Sequence, residues 1–84
     1  MALFDKGMVS EGYVVEARQI EVAIAKLPAR FKSYTDLAVL LAGEGVPSAA
    51  TARAADRILQ KMRKAGLVSF AKGWWTRVDG RSSI

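Results

Sequence analysis

The apolar positions of this chain divide it into three helical stretches and one alternating stretch. From Tyr13 onward, Ala17, Ile20, Ile24 and Leu27 follow at spacings of four, three, four and three. That period predicts an amphipathic first helix over 11–27, with Glu16, Arg18, Gln19, Glu21 and Lys26 on its wet side. Ser10 precedes it as a candidate N-cap, and Pro28 disfavours helical geometry at Leu27. Residues 1–10 show no sustained period and read as an irregular arm, whose Leu3, Phe4, Met8 and Val9 are expected to pack on the domain or on a second copy. The connection that follows admits a very short strand at Lys32-Ser33-Tyr34. A second helix is predicted over 35–42, capped by Thr35, with Tyr34 placed to staple onto Val39. It is almost wholly apolar, so it is expected to be buried on most of its surface. Gly43 and Gly45 end it.

Ser48 is read as the cap of a third helix over 48–65. Ala52, Ala55, Ile58, Leu59 and Met62 form its apolar stripe, opposite Arg53, Arg57, Gln60, Lys61 and Lys64. After Gly66 the period changes. Leu67–Ala71 and Trp74–Val78 are rich in β-branched and aromatic residues and flank Lys72-Gly73, so 67–78 reads as a β-hairpin and 79–84 as a tail. With a two-residue turn, Leu67, Ser69, Ala71, Trp74, Thr76 and Val78 share one face, and Val68, Phe70, Trp75 and Arg77 the other. A one-residue slip exchanges the sets. Adjacent strand residues point to opposite faces, so one tryptophan is expected on the core. The other is left to cover apolar surface, a partner or DNA. The fold class is mostly α with a small β-hairpin, in one domain of 84 residues.

Charge sharpens this picture. Residues 1–42 are neutral, whereas 43–84 carry eight basic residues against three acids, so the whole net charge of +5 lies there. Such asymmetry points to a polyanionic partner, or else to a solvated basic face. The chain has no cysteine and no histidine. That removes disulfide and thiolate chemistry, argues against a zinc site, and leads us to expect no metal and no cofactor. With no glycine-rich phosphate loop and no carboxylate pair brought together, an enzyme is not expected. No signal peptide or membrane-length apolar run is visible, so a soluble cytoplasmic protein is the expectation.

The order of short apolar helix, glycine turn and basic helix is that of a helix-turn-helix. Ser48-Ala49-Ala50-Thr51-Ala52-Arg53, followed by Leu59, Met62 and Ala65-Gly66-Leu67-Val68, resembles bacterial winged-helix repressors. Those proteins commonly carry a Ser-x-x-Thr-apolar-Arg start to the recognition helix and a Gly-Leu-Val exit into the wing. The resemblance covers about residues 12–78, and the third helix is about one turn longer than in one common repressor pattern. It implies double-stranded DNA as partner, with the third helix in the major groove and the wing on backbone or minor groove.

The residues that this assigns are specific. Arg53 and Arg57 suit bidentate contacts to guanine or phosphate. Ser48, Ala49 and Ala50 are expected at the close approach to the groove. Thr51 faces base or phosphate, or is buried. Lys61 and Lys64 meet phosphates or are ordinary solvated lysines. Ser33, Tyr34 and Thr35 donate to a phosphate, cap the helix, or do both. In the wing, Lys72 at the tip and Arg77 are candidates for backbone contacts. A transcriptional regulator acting as a homodimer, through the first helix, the arm or an exposed tryptophan, is the leading expectation. The alternative is a protein-interaction winged helix, or a small inhibitor docking on a larger intracellular assembly.

Overall fold

The computed structural model describes residue 4 and residues 6–78. The expected tail over 79–84, and Leu3 of the expected arm, lie outside the described residues. The chain runs β1 (Met8–Ser10), β2 (Tyr13–Val15), α1 (Ala17–Ala25), β3 (Arg30–Phe31), α2 (Tyr34–Gly43), α3 (Ser48–Lys64), β4 (Val68–Ala71) and β5 (Trp74–Arg77). Among the described residues, three helices and two small antiparallel sheets make an arrangement compatible with an α+β fold. Among the described residues no helix is long and apolar enough to cross a membrane.

The first correction concerns residues 8–15, expected as part arm and part helix. They form a hairpin, with Met8 opposite Val15, Val9 opposite Val14 and Ser10 opposite Tyr13. Glu11 and Gly12 sit at its turn with φ of 50° and 80°. Positive φ at both positions gives the turn whose twist matches the strands it joins. The alternation then places Val15 and Ser10 in the interior and leaves Val9 and Val14 exposed. Ser10 is therefore not a helix cap; its hydroxyl donates to the Ala50 carbonyl at 2.9 Å and fastens the hairpin to α3. Gly7, just before β1, packs so closely that a Cβ there would lie 2.3 Å from the Val15 carbonyl oxygen.

In α1 the capping falls to Glu16, whose backbone N–H donates to the Gln19 side chain at 2.9 Å. Gln19, expected on the wet side, is buried. Its amide nitrogen donates to the Glu44 carbonyl at 2.9 Å and lies 3.4 Å from the Tyr13 hydroxyl. One side chain thus ties the hairpin, α1 and the end of α2 together. Ile20 and Ala23 carry the helix into the core, and Leu27 joins them after the helix has ended.

The short strand lies at Arg30–Phe31 rather than over 32–34. Ser33, not Thr35, caps α2: its hydroxyl accepts from the Thr35 N–H at 3.2 Å, and Asp36 accepts from the N–H groups of Lys32 and Ser33. This helix is not buried on most of its surface. Leu37 and Leu41 are fully buried, Ala38 and Leu40 partly, and Val39 is 70% exposed. The expected Tyr34–Val39 staple fails because Tyr34 is the first helical residue and both side chains are exposed.

In α3 the cap position belongs to Pro47, and Ser48 is the first helical residue. Its core face is Ala50, Thr51, Ala54, Ala55, Ile58, Leu59 and Met62. Ala52 is exposed, since it lies about a third of a turn from the line of Ile58. The alanines let α2 and α3 approach closely, and this is the most extensive helix contact in the molecule.

The second sheet has strand order β3-β5-β4. Lys72 and Gly73, with φ of 55° and 81°, make a two-residue turn that pairs Ala71 with Trp74 and Phe70 with Trp75. The register left open by the sequence is thereby fixed. Trp75 lies on the inner face, stacked on buried Phe31 at 6.3 Å between ring centres and tilted against Phe70 at 5.0 Å. Trp74 lies on the outer face.

Candidate nucleic-acid interface

The exposed side of α3 presents Ala49, Ala52, Arg53, Asp56, Arg57, Gln60, Lys61, Arg63 and Lys64. Five of these nine are cationic and one is acidic, on a helix whose opposite face is wholly committed to the core. Two shallow hollows flank it. Tyr34, at the start of α2, faces Ala52, Arg53, Asp56 and Arg57 across the first. Asp56, Arg57, Gln60, Lys61 and Lys64 line the second. The beginning of α2 and the exposed side of α3 therefore share one surface.

The two arginines singled out by their spacing are both there, yet neither is unengaged. Arg53 Nε lies 2.7 Å from a Glu11 carboxylate oxygen, with the two side chains 65% and 48% exposed. Arg57 donates through Nη1 to the Val9 carbonyl at 2.8 Å. Both partners belong to the β1–β2 hairpin. An exposed ion pair of this kind contributes about 0–1 kcal/mol to stability, so the partners orient the arginines more than they hold the fold. A guanidinium has five N–H donors, and each of these contacts leaves several free.

The other expected residues divide into groups. Ser48 and Ala49 are exposed at the start of α3. Ala50, expected at the groove, is buried at 1% exposure, and Thr51 at 8% takes the buried alternative. The Thr51 hydroxyl donates to the Ser48 carbonyl at 3.1 Å, which closes the first turn and leaves the side chain no access to a ligand. At α2, Tyr34 and Thr35 are exposed, while the half-buried Ser33 spends its hydroxyl lone pair on capping. Lys61 is exposed and rests its ammonium 5.5 Å from the centre of the Phe4 ring. Lys72 is exposed at the tip of the β4–β5 turn. Arg77 is half-buried and donates through Nη1 to the Leu27 carbonyl at 3.1 Å, joining β5 to the end of α1.

Comparison with protein-family models, curated proteins and solved structures gives no match.

Two features of this surface, and a third elsewhere on the molecule, were missed in the sequence. Arg63 was not assigned to the face, although one helical period places it beside Ala52 and Asp56. The hairpin that reaches the arginines was hidden by a helical period running through Tyr13. Its signal was the β-branched Val9, Val14 and Val15 about a Glu11-Gly12 pair. The third is the environment of Trp74. Arg30 and Lys32 stand 4.5 and 4.8 Å from its ring centre, a neighbourhood set by pairing β3 with β5.

Proposed function

We propose that this chain is a winged helix that binds double-stranded DNA, with α3 in the major groove and the β4–β5 hairpin on backbone or minor groove. The observation that carries the reading is the joint surface of α3 and the start of α2, five cations on an exposed helix face with Tyr34 and Thr35 beside it. The strand order supports it further. A strand between α1 and α2 pairs with the last strand of a hairpin that follows α3 directly, as a winged helix requires. In this arrangement Arg53 and Arg57 reach base edges or phosphates, Tyr34 and Thr35 contact a phosphate at the start of α2, and Lys72 reaches the backbone from the wing. A single module of this kind buries only about 600–1,000 Å², so a dimer on a two-fold site, acting as a cytoplasmic transcriptional regulator, is part of the proposal.

Selection of bound sequences from random duplex DNA, followed by titration of the selected site, tests it. Arg53→Ala or Arg57→Ala is expected to weaken binding about 10-fold, the cost of one good contact near 1.4 kcal/mol. Failure to bind any duplex at low salt overturns the reading. A second reading, a protein-docking winged helix, is favoured by the exposed Val39 beside the half-buried Trp74. Binding to a partner that is lost on changing Trp74, in a protein that binds no duplex DNA at low salt, would select it.

A further inference from the structure

The flank of α2 turned away from α3 carries a surface that the DNA reading leaves unused. Val39 and Leu40 of α2, Pro28 and the Trp74 ring line an open groove of about 440 Å³. Val39 is 70% exposed, although a helix of this composition would ordinarily hide its apolar residues. Arg30 and Lys32 rim the groove, each over the Trp74 ring. Lys26 completes the rim, at 3.0 Å from Glu44. The one acid in the lining, Asp36, is turned to the N–H groups of Lys32 and Ser33 as part of the α2 cap. With Lys26 paired to Glu44, the positive charge beside the apolar floor comes from Arg30 and Lys32, two cations against the one acid of the lining.

We infer that this groove docks an acidic peptide segment bearing bulky apolar side chains, supplied by a partner protein. The floor decides between peptide and nucleic acid. A phosphate backbone would satisfy Arg30 and Lys32 but would leave Val39 and Leu40 uncovered, whereas leucine or phenylalanine side chains would bury them. The rim decides between a partner and a second copy. Two copies meeting through this groove would bring their cationic rims together in a protein that already carries a net charge of +5. Carboxylates flanking an apolar side chain match both layers, and the cations stacked on Trp74 are held ready for them.

The inference is independent of the DNA reading, because the groove lies on the opposite flank of α2 from Tyr34 and the α3 surface. The test uses the full chain and a short synthetic peptide alternating aspartate with leucine and phenylalanine. The Trp74 indole and Val39 methyl signals are followed by NMR. The acidic apolar peptide is expected to shift both. Val39→Asp, at a position too exposed to carry the fold, is expected to weaken binding at least 10-fold, and Lys32→Glu similarly. Four results overturn the inference: no shift with this peptide; equal binding when serine replaces its apolar residues; the same signals moved as strongly by a single-stranded thymidine oligonucleotide; or self-association that Val39→Asp abolishes. Duplex binding by the Val39→Asp protein, measured in parallel, reports on the DNA reading separately.

Discussion

Individual residues here often serve the fold at the positions where they would be expected to serve a ligand. Ala50 and Thr51 both lie in a segment assigned to DNA, and each spends its polar or packing capacity inside the molecule. Gln19 is the converse, a polar side chain on a helix that holds three elements together through its amide. Gly7 is the position where a single atom matters most. Its φ is 68°, and an added Cβ would collide with the backbone oxygen of Val15. Gly7→Ala is expected to cost about 2 kcal/mol or more, from left-handed strain plus displacement of the hairpin. For a domain of this size that lowers the thermal midpoint by about 8–16 °C, measured by circular dichroism or calorimetry. An unchanged midpoint would show that the hairpin does not pack on Gly7 as described.

At the scale of elements, the β1–β2 hairpin changes what α3 can do. It reaches the exposed face at two points, through Glu11 to Arg53 and through Val9 to Arg57. Glu11 also neutralises one of the cations that a polyanion would seek. Glu11→Gln is therefore expected to alter folding stability by less than about 0.5 kcal/mol, since the ion pair is solvated. The same change is expected to tighten binding to duplex DNA of any sequence by a few-fold, because it removes a negative charge beside the phosphates. Denaturant titration and duplex binding, measured on one preparation, check both halves. Weaker duplex binding would instead make Glu11 a residue that positions Arg53 for its contact.

The molecule as a whole separates its surfaces by chemistry. Its extents are 38 × 28 × 20 Å, and within that span one helix face is cationic while another groove combines cations with apolar carbon. If the α3 face meets phosphates, affinity for duplex DNA must fall linearly with salt on logarithmic axes, with a slope of about −0.9 per phosphate neutralised. The acidic peptide, held by apolar burial as well as charge, is expected to show a shallower dependence. Fluorescence titrations at several salt concentrations compare the two, and equal slopes would argue against the division.

Much of this was legible in the residue pattern alone. The existence of α3, its basic face, its glycine-marked end and a hairpin turning at Lys72-Gly73 all follow from local chemistry, because period, turn residues and charge act within a few positions of one another. The pattern could not decide between a helix and a hairpin over 8–15, where Val9, Val14 and Val15 compete with a helical period running through Tyr13. What fastens the hairpin is distant in sequence: the Ser10 hydroxyl on the Ala50 carbonyl, forty residues away. The exposure of Val39, the bond from Arg77 to the Leu27 carbonyl and the face taken by each tryptophan were likewise decided by tertiary structure. A side chain's partner across forty or fifty residues leaves no trace in its own neighbourhood. The local sequence determines the three helices, the last hairpin and which face of α3 is charged; only the packing of the elements determines the first hairpin, which charges are engaged and which apolar residues stay uncovered.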